Sequence, residues 1–322
     1  VDTQVALQRL ASQGINDARF AAPREVVSWF GAMQAQDYLA ALWAIGLRMR
    51  AAAEADVEEA LARREIVRSW PLRGTLHFVA AEDLRWMLDL LATRVINRTS
   101  NRLRQYYELD ETVFRKSRTA LTKALRGGKQ LTREALYRVL DKVGITTGKS
   151  RGLHLVFQLA HEGFLCFGAR EGKQPTFVLL EEWVRAPRKL SGDEALSELA
   201  VRYFRSHAPA TAADFAWWSG LPITEARRAM EMIRIDLPDP DAPQHRAHLL
   251  PAFDEYLVAY KDRTAVLDPR DARKVNDGGG MLRPVIVLDG RVVGTWKKSR
   301  GGVEESLFRR VPRENRAAIR DA

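Results

Sequence analysis

Cysteine is almost missing from this chain. The single Cys166 among 322 residues leaves no partner for an intrachain disulfide and no cysteine cluster for a metal, so a reducing, cytoplasmic compartment is expected. Long apolar runs are missing too. No stretch approaches the ~18 residues of a membrane-spanning helix, and the first residues do not form a basic-then-apolar export signal. No membrane partner is expected.

Several catalytic signatures are incomplete. Gly144-Ile145-Thr146-Thr147-Gly148-Lys149-Ser150 has three residues between its glycines where a phosphate-binding loop needs four. His161-Glu162 is not continued by the second histidine of a zinc-protease helix, and no Gly-x-Ser-x-Gly elbow exists. Gly278-Gly279-Gly280 carries no dinucleotide fingerprint. His245 and His248, with Asp254 and Glu255 beyond, are ligand types, but a proline-rich loop gives them no helical frame. Neither a metal nor a cofactor is expected.

What the chain does have is positive charge. Its 51 Lys and Arg outnumber 41 Asp and Glu, for a net charge of +10, which suits a polyanionic partner such as nucleic acid. At 322 residues it exceeds the usual size of one core, so two or three domains are expected.

Ala32-Met33-Gln34-Ala35-Gln36-Asp37-Tyr38 sets two amides one residue apart between apolar segments. Residues two apart cannot meet on a helix face. If both glutamines act on one object, the backbone there must be extended or turned. The alternative is a polar helix end in a solvated loop.

Helical patterns beginning at Val5 and Pro23 precede this stretch, and apolar residues 39–49 and an acidic helical run around Val57 and Leu61 follow it. Ile66–Trp70 and Thr75–Val79, around Pro71-Leu72-Arg73-Gly74, read as a hairpin. Helices followed by a hairpin is the order of a winged helix. Residues 80–105 read as one long helix bearing Arg94, Arg98 and Arg102 at intervals of four, and residues 94–126 hold nine Lys/Arg against three Asp/Glu. That stripe is either a phosphate track or a solvated face. Helices from Thr132 and Leu153, then a hairpin of 164–168 with 176–180, repeat the pattern. A linker at 187–192 leads to a third block, where Thr211 and Asp214 are spaced for a capping box. The adjacent Trp217 and Trp218 suit a core better than a stacking platform. After the break at Leu237–Pro243 the chain is strand-like at 249–250, 256–258, 283–288 and 291–296, the last two joined by Asp289-Gly290.

Four ordered blocks, Ala32–Asp37, Trp70-Pro71-Leu72-Arg73-Gly74-Thr75-Leu76-His77, Leu250-Pro251-Ala252-Phe253-Asp254-Glu255-Tyr256-Leu257 and Val293-Gly294-Thr295-Trp296, resemble the winged-helix DNA-binding family that includes the AlkZ-type DNA glycosylases. The resemblance covers almost the whole chain. It implies an α+β fold of three tandem winged helices, at 1–107, 108–186 and 193–242, followed by a small β-rich, barrel-like part at 243–322. The family's catalytic Gln-hydrophobic-Gln motif matches Gln34-Ala35-Gln36. A YcaQ-like sister branch has Asp at the second position, where this chain has Gln36.

The implied activity is a monofunctional DNA-repair glycosylase acting on cationic N7- or N3-alkylated purines, crosslinks included, as a monomer at the nucleoid. Its partner would be double-stranded DNA. Asp37 would be an electrostatic helper. Arg68 and Arg73 would meet phosphates, Trp70 and His77 would border the lesion pocket, and Arg94, Arg98, Arg102, Lys297 and Lys298, the last two after the final strand, would extend a basic track. Trp70 also reads as a packed hairpin residue. Two other classes stay open: a non-catalytic winged-helix regulator, and a small-molecule sequestration protein with an apolar cleft near Trp43 and Trp70.

Overall fold

The computed structural model describes residues 3–235, 246–276, 278, 280–300 and 302–322. His245, Gly279 and the Leu237–Pro243 break lie outside the described residues. In chain order the elements begin with α1 (Thr3–Ser12), α2 (Pro23–Phe30), β1 (Ala32–Gln34), α3 (Tyr38–Gly46) and α4 (Glu54–Ala62). Next come β2 (Ile66–Leu72), β3 (Thr75–Ala80), α5 (Leu84–Tyr107), α6 (Glu111–Leu125), β4 (Leu131–Thr132), α7 (Arg133–Lys142), α8 (Arg151–His161), β5 (Leu165–Phe167), β6 (Thr176–Leu179) and α9 (Leu180–Trp183). The rest is α10 (Gly192–His207), α11 (Ala212–Ser219), α12 (Ile223–Glu231), β7 (Ala247–Leu250), α13 (Glu255–Val258), α14 (Ala272–Val275), β8 (Val285–Leu288), β9 (Arg291–Ser299), β10 (Gly302–Leu307) and α15 (Arg313–Asp321). The fold is mixed α+β, and no helix among the described residues is long and apolar enough to cross a membrane.

The chain divides into two compact units, one made of residues 1–57 with Ser197–Ala322, the other of Glu58–Leu196. In the second unit β2 and β3 pair antiparallel, with the register shifting between Ser69 and Leu72. Pro71 has no N–H for the ladder, so a bulge there is the natural outcome. Arg73 and Gly74 close the hairpin with φ of 55° and 81°. A Cβ on Gly74 would stand 3.1 Å from the Phe157 ring, so the turn needs glycine for space as well as conformation. The expected second hairpin is present as β5 with β6, and β4 adds to the free side of β6. One apolar core beneath them takes Leu103, Leu121, Leu136, Leu140, Leu155 and Leu159 from α5 to α8. Cys166 is buried in β5, and burial pushes its thiol well up, which leaves it unreactive.

His161 is sealed within the same unit. Its Nδ1 donates to the Phe157 carbonyl at 2.8 Å, so the neutral ring carries its lone pair on Nε2, which has no partner. Burial, with Arg98 acting in the same direction, pushes its pKa down from 6.5 to about 4. The unfolded chain therefore takes up a proton between pH 6.5 and 4 that the fold refuses. Stability should fall as pH drops through that window, by up to about 1.4 kcal/mol per unit from this group, and level off below it. Urea unfolding at pH 7, 5.5 and 4 reads the slope, and His161→Leu should lower it by this group's share, leaving that of the buried His248.

In the first unit β7 to β10 form an antiparallel sheet in the order β10-β9-β8-β7, an open rather than a closed arrangement among the described residues. The Asp289-Gly290 turn has both φ values positive, 45° and 81°, as the hairpin signal requires. Gly290 also lies so close to α1 that a Cβ would meet Ala6 at 2.7 Å. Thr211 and Asp214 make both bonds of the capping box on α11.

Two local readings are corrected. Tyr256-Leu257-Val258 is the helical turn α13 and not a strand, because the Asp254 carboxylate caps it by accepting from the Tyr256 N–H at 2.9 Å. Lys297 and Lys298 do not follow the final strand. They lie within β9, which continues to Ser299 and pairs with β10, a strand so polar that it reads as loop.

Candidate active site

In the first unit the two glutamines stand where helix α2 gives way to extended chain. Gly31 ends the helix with φ of 82°, β1 runs Ala32–Gln34, and Asp37 opens α3. Burial alternates along the segment: Met33 and Ala35 are buried, Gln34 is half-buried and Gln36 is exposed. β1 ends at Gln34 and Gln36 lies in a bend, with Ala35 as the buried residue between the two amides. The Asp37 carboxylate accepts from the Ala40 N–H at 3.1 Å, so it serves as the N-cap of α3.

Three of the four blocks meet behind this segment. Trp296 donates its indole N–H to the Leu250 carbonyl at 2.9 Å, and its ring lies 5.1 Å from Trp43, whose own indole donates to Leu249. These bonds fix the end of β7, from which the chain enters Asp254 and Glu255. A Cβ on Gly294 would meet the Ser306 carbonyl at 2.7 Å, which explains the glycine of that block.

Asp254 pairs bidentately with Arg48 at 2.9 Å, and both side chains are buried. The Gln13 carbonyl, Gln13 Oε1 and the Ala44 carbonyl take the remaining guanidinium hydrogens, so all five are used. The same guanidinium lies 5.0 Å from the ring of Phe30, the last residue of α2. Glu255, also buried, accepts from the Gln34 backbone N–H at 2.7 Å and from the Trp218 indole at 3.1 Å. The adjacent tryptophans thus diverge: Trp218 is buried, and Trp217 is 43% exposed with its indole donating to the Val258 carbonyl.

Lys297 and Lys298 belong to this unit as well. Both are exposed neighbours in β9. Lys297 is paired with Glu304 of β10 at 2.7 Å, a bond that raises its pKa. Trp43, 41% exposed, lines a cavity of about 310 Å³ with Leu39, Leu42, Gly46, Leu47 and Ala52.

The other expected residues belong to the second unit. Trp70 is 7% exposed there, packed on Phe157 and Phe167 at ring distances of 5.9 and 5.0 Å. It is a core residue of its hairpin. His77 is 1% exposed, with Nδ1 donating to the Thr75 carbonyl at 2.9 Å. Arg68 sits over the Phe167 ring at 5.2 Å. Arg73 forms the hairpin turn, and its carbonyl accepts from Arg98 at 3.3 Å. Arg94 donates to the Leu90 carbonyl at 2.9 Å and is half-buried, whereas Arg98 and Arg102 are exposed, Arg102 resting 5.6 Å from the Tyr107 ring. The arginine spacing does place a stripe on α5.

Sequence reasoning missed the tasks of Glu255, Arg48 and Asp254. The signal available was the pair of adjacent acids inside an apolar block, since buried carboxylates must be bonded to something. His248 bonds Asn16 through Nε2 at 3.1 Å, and burial lowers its pKa to about 4. No group of three or more metal-ligating side chains occurs among the described residues.

A family model described as DNA glycosylase AlkZ-like matches residues 27–322. A curated relative from Streptomyces sahachiroi, named an interstrand DNA cross-link repair glycosylase, is 28% identical over 331 residues, covering 91% of this chain and 87% of that protein. The solved structure of the Streptomyces sahachiroi DNA glycosylase AlkZ is similar in fold, with a TM-score of 0.78 at 23% identity, over 98% of this chain and 96% of that one.

Proposed function

Since the chain belongs to the AlkZ-like DNA glycosylase family, a family of DNA-repair enzymes that hydrolyse N-glycosyl bonds, we propose that it removes cationic N7- or N3-alkylated purines from duplex DNA, including those joined as interstrand crosslinks. The observation that carries this reading is the Gln34-Ala35-Gln36 segment at the end of β1, where Ala35 is buried and the amides on either side of it are half-buried and exposed. The curated relative's name as a cross-link repair glycosylase supports the crosslink substrate.

The chemistry follows from what an amide can do. Glycoside hydrolysis ordinarily uses two carboxyl groups, one to protonate the leaving group and one to assist attack. An amide is neither a useful acid nor a useful base near neutral pH. An alkylated purine that already carries positive charge leaves as a neutral base, so no acid is needed. There remain a water to hold and an oxocarbenium-like sugar to stabilise. Amide oxygens accept from water and present partial negative charge to the sugar. Gln34 and Gln36 take these two roles.

Helices followed by the β2–β3 hairpin, and α6 to α8 with the β4-β6-β5 sheet, support winged helices at 1–107 and 108–186. The helices α10 to α12 support a third at 193–242, and 243–322 is the β-rich part, its barrel-like character inferred from the resemblance. Such modules read duplexes by helix and wing. The enzyme acts as a monomer, and a genomic substrate places it at the cytoplasmic nucleoid.

Arg98 and Arg102 are the exposed members of the α5 stripe and the leading phosphate contacts. DNA affinity should fall steeply with salt, and replacing both with Gln should reduce the log–log slope by about two, since each phosphate contact contributes about 0.9. Filter binding across a salt series reads this, and an unchanged slope removes them from the track. The deciding experiment is release of N7-methylguanine from methylated duplex DNA by the purified protein. Tight duplex binding with no base release would replace this reading with that of a non-catalytic regulator.

A further inference from the structure

Two adjacent carboxylates, Asp254 and Glu255, are 2% and 1% exposed, and each needs a reason to be there. Asp254 has one in Arg48. Glu255 meets a different set of groups. One oxygen takes the Gln34 backbone N–H at 2.7 Å, across 221 residues of sequence. The other takes the Trp218 indole N–H at 3.1 Å, with His207 Nε2 at 3.4 Å. His207 in turn meets the edge of Phe30 at 5.2 Å and 84°. The chain from Phe30 to Gln34 is thus held at both ends, by a ring contact at one and a charge-assisted hydrogen bond at the other.

We propose that Glu255 is the positioning residue of the glutamine segment: it fixes the Gln34 backbone so that the two amides keep the spacing the reaction requires. The inference rests on Gln34 and Gln36 being the reacting pair. Glu255 acts on substrate only through Gln34, and its effect is one of reach. Displacement of a catalytic group by about 1 Å costs on the order of 10²-fold in rate.

Two conservative variants separate reach from charge. E255Q keeps the length and an acceptor oxygen but loses the charge, whereas E255D keeps the charge and draws it back by one methylene. Tyr256→Phe serves as a neighbour control, because it removes a buried hydroxyl bonded to the Gly290 and Ala6 carbonyls and leaves Gln34 untouched. Single-turnover release of N7-methylguanine is measured for all four proteins, together with duplex affinity and hydrogen exchange of a peptide spanning 32–37. Positioning predicts that E255D loses ~30-fold or more in rate with affinity within about 3-fold, while E255Q and Tyr256→Phe stay within about 5-fold. Residues 32–37 should exchange faster in E255D alone. A slower E255Q than E255D, an E255D no slower than Tyr256→Phe, or unchanged exchange of 32–37 overturns the proposal. A wild-type protein that releases no base overturns the assignment of the glutamines instead, and the exchange measurement still decides whether Glu255 holds them.

Discussion

Gln34→Ala combined with Gln36→Ala should abolish base release, lowering the single-turnover rate by about 10³-fold or more while leaving duplex affinity within about 3-fold. Each amide is assigned to the transition state, one to the water and one to the cationic sugar, and removing a single preorganised group of that kind costs on the order of 10²–10³ in rate. Groups that act as a unit are not additive, so each single variant should already show most of the loss. Stability should barely change, because Gln36 is exposed and the bond that secures Gln34 uses its backbone and not its side chain. That separates the result from misfolding. Release of N7-methylguanine under excess enzyme, with a melting curve beside it, makes the measurement. A double variant with wild-type rate would end the role of the pair, whatever the family assignment.

Asp254→Ala should be the most destabilising single change in the first unit, at about 3–5 kcal/mol. It strands the Arg48 guanidinium, whose side chain is 0% exposed, with three neutral acceptors and no counter-charge. It also deprives α13 of its cap at the Tyr256 N–H. A loss of that size corresponds to roughly 10 °C in Tm for a unit of this length. Replacing both partners, Arg48→Met with Asp254→Leu, should cost much less than the two single changes summed, since a buried ion pair exchanged for apolar groups of similar volume leaves no charge behind. Thermal and urea unfolding of Arg48→Met, Asp254→Leu and the double variant complete the cycle. An Asp254→Ala protein within 1 kcal/mol of wild type would mean that the pair is not the anchor it is taken to be.

Local chemistry made several elements legible. The Asp-Gly pair closes β8 and β9 because a two-residue turn demands positive φ at both positions. Thr211 and Asp214 cap α11 because the reciprocal bonds need only a three-residue spacing. Arginines four apart line one face of α5 because that is the helix period. Where neighbours far along the chain intervened, the local pattern misled. The apolar run at Tyr256 has strand propensity, yet a cap and burial against α1 and β8 made it a helical turn. Trp70 packs into the core of its hairpin, one of the two readings the sequence left open, while Lys297 is held by an ion pair with a strand too polar to anticipate.

The sequence by itself determined the spacing of Gln34 and Gln36 and the family that four ordered blocks resemble, since both are properties of neighbouring residues and their order. Only the tertiary structure decided what stands behind the pair. Glu255 meets Gln34 across 221 residues, and Asp254 meets Arg48 across 206. Such partnerships are settled by which buried charges must find acceptors or donors once water is gone, and no local pattern records that choice.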